Sequence, residues 1–177
     1  YNSSGTRQWT KQLGTSSDDQ ANGIATDSSG NVYVAGYTEG GLDGNTNAGN
    51  KDLFVVKYNS SGTKQWTKQL GTSSDDHANG IATDSSGNVY VTGRTLGPLD
   101  NNTYWNVEFF LVKYNSSGTK QWTKLSNSSY YDSAKGVATV SSGFVYVTGE
   151  TTGMDGNSTA GSYDLFLVKY NSSGIKQ

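Results

Sequence analysis

Two rhythms of apolar and polar residues alternate along this chain. Val32-Tyr33-Val34-Ala35 and Leu53-Phe54-Val55-Val56 are short, unbroken apolar runs. Lys64-Gln65-Trp66-Thr67-Lys68 alternates polar and larger residues around one tryptophan. A continuous run of this length predicts a strand buried on both faces, and an alternating one predicts a strand with one face in water. The runs are separated by Ser-Ser-Gly bends, where glycine supplies the left-handed residue of a short hairpin loop. In the middle of the chain the pattern predicts four strands. They cover Asn79–Asp84, Val89–Thr95, Phe109–Tyr114 and Thr119–Lys124, and a polar loop runs from about Leu96 to Val107.

The same pattern is written three times. Tyr1-Asn2-Ser3-Ser4-Gly5 returns at Tyr58, Tyr114 and Tyr170, and Trp9 returns as Trp66 and Trp122. The chain is therefore one repeat array, 1–177, with repeats at about 1–57, 58–113 and 114–169 and the start of a fourth at 170–177. Four antiparallel strands per repeat predict an all-β β-propeller built from four-stranded blades. In strand order the chain begins with one outer strand, runs through two full sets of four and ends after three more. That makes about three blades, with one blade split between the termini. Propellers need about four or more blades to close, so three leave open strand edges. Two solutions follow: two chains close a six-bladed ring, or chains add head to tail into a fibre. A third reading is a longer polypeptide, of which this chain, lacking an initiating Met and starting inside a repeat, is a processed product or an excerpt.

The stretch Ala78–Gly93 resembles the bacterial and archaeal SBBP β-propeller repeat, as does Asp52–Gly62 ending in Trp66. The resemblance spans nearly the whole chain. It implies a prokaryotic, extracellular or cell-surface protein, and it brings no catalytic residues. The third copy departs from the pattern where Val140 replaces Asp27 and Asp84, and where Phe144 replaces Asn31 and Asn88.

Composition narrows the function. Apolar residues make up 32% of the 177, but the net charge of −2 and the many aromatics argue against disorder. Near-neutral charge also argues against nucleic acid or an anionic membrane as partner, and no apolar run is long enough for membrane insertion as a helix. No cysteine is present, which excludes disulfides and thiolate chemistry. The lone histidine, His77, aligns with Gln20 and Ser133 and reads as a solvated loop residue, so no catalytic triad is expected. Asp19, Asp76 and Asp132 recur before the first strand of each set. They read either as turn acceptors of backbone N–H groups or as a carboxylate ring at the propeller mouth.

The loop between second and third strands carries the candidate chemistry. Asp43, Asn45, Asn47 and Asp52 in the first copy, Asp100, Asn102 and Glu108 in the second, and Asp155, Asn157 and Asp164 in the third offer alternating oxygens. That is the donor type a Ca²⁺ site requires, and equally an Asx-rich turn. Tyr104 and Trp105 occur only in the second copy and suit stacking on a sugar, with Tyr37 and Arg94 as further ligand-binding candidates; a gap-covering role for Trp105 is the plainer reading. Asn2, Asn59, Asn115, Asn127 and Asn171 each begin Asn-Ser-Ser, which is both an N-glycosylation acceptor and good turn chemistry. The sequence thus points to a non-enzymatic, exported scaffold that assembles with itself by completing split blades. The alternative is a lectin-like propeller using the variable loops.

Overall fold

The computed structural model describes residues 1–101, 106–128 and 131–177. Two four-stranded antiparallel sheets follow each other along the chain. The first orders β1 (Asp19–Thr26), β2 (Val32–Thr38), β3 (Asp52–Tyr58) and β4 (Lys64–Leu70). The second orders β5 (Asp76–Thr83), β6 (Val89–Thr95), β7 (Glu108–Tyr114) and β8 (Lys120–Leu125). A third sheet has only β9 (Asp132–Thr139), β10 (Val145–Thr151) and β13 (Asp164–Tyr170), with β13 on its free edge. A two-residue hairpin, β11 (Gly153–Met154) with β12 (Asn157–Ser158), fills its second loop. These are the expected blades.

Strands begin earlier than the sequence pattern suggests. β5 starts at Asp76 rather than Asn79, so His77 is a half-buried strand residue and not a solvated loop residue. The reason is a bulge between Ala78 and Gly80, matched by one between Ala21 and Gly23, which lets pairing continue past the apparent strand end. Opposite the bulge, a Cβ on Gly93 would come within 1.8 Å of the His77 carbonyl oxygen, and one on Gly36 within 1.8 Å of that of Gln20.

The outer strand expected at the start of the chain, around Trp9, does not form, and the first strand is β1 at Asp19. A strand needs a partner for its N–H and C=O groups, and among the described residues this segment has none in register. At the other end, Lys176 bridges to Tyr170 and the Gln177 N–H donates to the Lys169 carbonyl at 2.9 Å, so a fourth strand only begins on the third blade.

The apolar runs are unbroken because alternate residues serve different seams. From the first blade, Tyr33, Ala35, Leu53 and Val55 pack against Ile81, Val91, Phe110 and Val112 of the second. The residues between them point the other way. Tyr90, Phe109 and Leu111 of the second blade pack against Val145, Val147, Phe166 and Val168 of the third. Phe109 and Phe166 stack with ring centroids 5.0 Å apart. On the outer face of the first blade, Leu42, Phe54 and Val56 form a smaller cluster with Leu13, Val34 and Tyr58.

Candidate functional site

The specific side chains of this protein converge on the seams between blades. The innermost strands approach closely there, since a Cβ on Gly23 would sit 3.1 Å from the Ile81 side chain and one on Gly80 3.1 Å from the Gly136 Cα. Asn22 donates through Nδ2 to the Ala78 carbonyl at 2.9 Å, and Asn79 repeats this to Ala134 at 2.8 Å. The Thr83 hydroxyl donates to the Thr26 carbonyl and that of Thr139 to the Thr83 carbonyl, at 2.8 and 2.7 Å. The hydrophobic pattern of the sequence does not single out these ties. The available signal was the Ala-Asn-Gly triplet in the first strand, which changes to Ala-Lys-Gly at Lys135.

The outer strands add a second lock. The Trp9 indole donates to the Ser60 carbonyl and the Trp66 indole to that of Ser116, both at 3.3 Å. Lys57 and Lys113 donate to the Ser116 and Ser172 carbonyls at 3.0 Å. Each tryptophan thus leans on the Asn-Ser-Ser-Gly turn of the next blade. The left-handed glycine at the turn (Gly62, Gly118, Gly174) leaves room for the indole. Tyr33 lies 6.0 Å from Trp66, and Tyr90 lies 6.0 Å from Trp122, ring to ring.

The recurring aspartates are turn acceptors. Asp19 accepts from the Thr15 N–H and hydroxyl, and Asp76 from the Thr72 N–H and hydroxyl and from Thr95. Asp132 accepts from Ser128. Asp76 is fully buried, and burial pushes its carboxyl up to about 6, with the nearby Asp52 charge pushing in the same direction against the three hydrogen bonds. In the hairpin bends, burial of Asp27 and Asp84 is outweighed by hydrogen bonds from Asn31, Ser29 and Tyr33 and from Asn88, Ser86 and Tyr90. Both carboxyls therefore sit below their ordinary value. Where Val140 and Phe144 replace that pair the bend keeps its backbone bonds, and Lys169 covers the Phe144 ring at 3.7 Å.

Of the calcium-type loop residues, Asp43, Asp100 and Asp155 adopt left-handed backbone and pair with Lys64 and Lys120 on β4 and β8 and with Lys176 after β13. Those lysine hydrogen bonds hold the Asp43 and Asp100 carboxyls down. Asp52 accepts from the Ala48 N–H and from Gln69, and Asp164 accepts from the Ala160 N–H. Asn45 donates to Leu42, Asn47 to Glu39 and Gly49, and Asn157 to Met154, all through carboxamide nitrogens. Glu108 is buried. Among the described residues no three acidic or histidine side chains are gathered as a metal site.

Tyr37 donates to Gln20 at 2.7 Å and meets the His77 ring edge-on at 4.6 Å, while Arg94 donates to the Tyr131 hydroxyl at 3.2 Å. The aligned Glu150 pairs with Lys135 at 3.0 Å. This position therefore joins blade to blade or strand to strand with a different pair each time. Burial, with Arg94 and Lys51 nearby, pulls the His77 imidazole down against the opposing pull of Asp75. Asn102, Tyr104 and Trp105 lie outside the described residues. The Asn2, Asn59, Asn115 and Asn171 carboxamide oxygens accept N–H groups of their own turns, and Asn127 stands exposed with left-handed backbone.

The comparisons bear on this repeated geometry. The profile of the β-propeller repeat SBBP matches residues 8–43, 65–100 and 121–157. The chain belongs to the SBBP β-propeller repeat family. It is similar to the regulatory protein FlaEY of Caulobacter vibrioides, with 26% identity over 86% of this chain and 18% of that protein. It is also similar to the uncharacterized WD repeat-containing protein L264 of Acanthamoeba polyphaga mimivirus, with 24% identity over 94% of this chain and 16% of that protein. The chain spans less than a fifth of the length of either relative.

Proposed function

We propose that this SBBP chain is a non-enzymatic scaffold of an exported or surface structure, and that its open blades take further blades of the same repeat. One observation carries the reading. The two outermost blade faces copy the two sides of a buried seam, yet each leaves apolar residues of that seam exposed. Leu165 and Leu167, aligned with Leu53 and Val55, are 82% and 67% exposed. Ile24, aligned with the buried Ile81, is 70% exposed. Beside it a groove of about 330 Å³ opens among Trp9, Ile24, Val34, Phe54 and Val56. Phe54 and Val56 are buried at the floor of that groove, so the exposed apolar side chains are Ile24 and Trp9 here and Leu165 and Leu167 on the third blade, and a group of such side chains on one face marks an interaction site. The non-enzymatic reading rests on how the polar side chains are spent, since the aspartates, His77 and Arg94 hold seams and turns together.

The test is the native mass by light scattering on a size-exclusion column. We expect a dimer of 18.9 kDa chains, as a six-bladed ring, or a larger head-to-tail species. Leu167→Lys changes a residue already exposed within one chain and is expected to return the species to a single chain. A monodisperse single-chain mass for the unaltered protein refutes the proposal. The lectin-like alternative through the variable loops rests on Tyr104 and Trp105, which lie outside the described residues, while Tyr37 and Arg94 are engaged across the first and second seams.

A further inference from the structure

Two bends lie side by side at one end of each blade. A Cβ on Gly30 would sit 3.4 Å from the Ser60 Cβ, and one on Gly87 3.4 Å from the Ser116 Cβ. The bends solve one geometric problem with different residues. In the first, Asp27 accepts the Ser29 and Asn31 N–H groups at 2.9 and 3.0 Å, and Asp84 accepts those of Ser86 and Asn88, both at 2.9 Å. In the second, the acceptor is asparagine. Asn59 takes the Thr63 N–H at 2.8 Å, and Asn115 takes the Ser117 and Thr119 N–H groups at 3.1 and 2.8 Å. Aspartate and asparagine both supply the one oxygen such a turn needs. Their remaining atoms are used differently. The second oxygens of Asp27 and Asp84 accept from Asn31 and Tyr33 and from Asn88 and Tyr90. The Asn59 and Asn115 carboxamide nitrogens, with two donors each, donate to no group among the described residues. Bending the chain therefore accounts for the oxygen of these asparagines and leaves the nitrogen free.

A free carboxamide nitrogen is the atom to which an N-linked sugar attaches, and a hydroxyl residue two positions on completes the acceptor. Ser61 and Ser117 hold that place, and each donates its hydroxyl to the asparagine oxygen at 2.8 Å. Ser60, Ser61, Ser116 and Ser117 are exposed. The tip is braced from behind, since the preceding blade's Trp66 donates to the Ser116 carbonyl and its ring would lie 2.9 Å from a Cβ on Gly118. Asn2 and Asn171 share the tip geometry. Two other Asn-x-Ser/Thr sites do not. The Asn127 and Asn157 carboxamide nitrogens are turned back onto the Leu125 and Met154 carbonyls, at 3.4 and 3.2 Å.

We infer that the outer hairpin tips are N-glycosylation acceptors, with Asn59 and Asn115 as modified residues and an oligosaccharide on a lipid diphosphate as the donor. The asparagine Nδ2 bonds to the anomeric carbon of the sugar. The bond from that carbon to the phosphate oxygen breaks, the lipid diphosphate leaves with the electron pair, and one amide proton passes to a base of the transferase. This rests on the reading of an exported protein, and adds to it a covalent modification and the residues that carry it.

The test uses the folded chain, lipid-linked oligosaccharide and a single-subunit oligosaccharyltransferase chosen because it modifies a free peptide of residues 112–121. Sites are mapped by mass spectrometry of the glycopeptides. Asn59 and Asn115 should be occupied severalfold more than Asn127 and Asn157. Ser117→Ala should lose the glycan at Asn115 and keep the one at Asn59, which reports that the variant is folded. Asn115→Asp, which keeps the turn oxygen as Asp84 does, should lose the mass of one glycan. Bare tips on the folded chain beside a modified peptide overturn the inference, and so does equal occupancy at all four sites. Either result leaves self-assembly standing, which fails separately, by a single-chain native mass.

Discussion

Asp76 makes folding of this protein depend on acid. The carboxyl is fully buried at the first seam, and burial with the Asp52 charge raises it from 3.8 to about 6. The folded chain then holds this proton more tightly than the unfolded chain. Its contribution to stability is complete below about pH 4 and is lost as the pH climbs through about 6. The separation corresponds to about 3 kcal/mol at about 1.36 kcal/mol per unit, and about 2 kcal/mol of it is lost between pH 4.5 and 7.5. His77 slopes the other way in an overlapping window. Its imidazole is pulled down by burial, so its contribution is present above about pH 6.5 and fades as the pH falls. The wild-type curve alone mixes the two, and Asp76→Asn separates them, since asparagine does not titrate and keeps an acceptor for Thr72. Urea unfolding of both proteins from pH 4.5 to 7.5 gives a difference that cancels His77 and the other shared groups that do not sense the Asp76 charge. That difference should move by about 2 kcal/mol in favour of the wild type at the acid end, equivalent to about 4–8 °C in melting temperature for a chain of this length. A difference that stays flat with pH would refute the reasoning, because Asp76 would then be as ionised in the fold as out of it.

Other expectations follow from single contacts. Asn79→Ala removes the tie to the Ala134 carbonyl across the second seam and should cost about 1–3 kcal/mol by thermal or chemical unfolding. Gly93→Ala drives a methyl into the His77 carbonyl opposite a bulge. It should destabilise by about 3 kcal/mol or more, against about 1 kcal/mol or less for Gly161→Ala, which meets nothing within 4 Å. Calcium at millimolar concentration, or a chelator, should leave the melting temperature unchanged, since a real site stabilises in proportion to its saturation. A rise with Ca²⁺ would restore the loop oxygens as ligands.

Much of this fold was legible because the array states its pattern three times. A continuous run such as Val32–Ala35 is ambiguous once, but repeated beside the same Ser-Ser-Gly bend it identifies a strand buried on both sides. The seam was not legible. Asn79 and Asn88 are the same residue type within one repeat, yet one ties two blades and the other closes a hairpin bend with Asp84. His77 was misplaced for a related reason: the bulge at Ala78 hides the strand's continuation from any period-two reading. Asp43 and Asp100 look like ligands in sequence and are partners of lysines some twenty residues on, a pairing created only when the fourth strand folds back.

The amino-acid order by itself determined the blade: four strands, their bends, and the double-faced apolar pattern that obliges each sheet to have a neighbour on both sides. Those are local and periodic properties, and repetition makes them plain. Only the tertiary structure decided which polar groups are consumed at the seams and which apolar residues are left over. Leu165 and Leu167 are the same kind of residue as the buried Leu53 and Val55, and nothing in their immediate sequence separates them. What separates them is whether another sheet lies above, and that depends on residues tens of positions away or in another molecule.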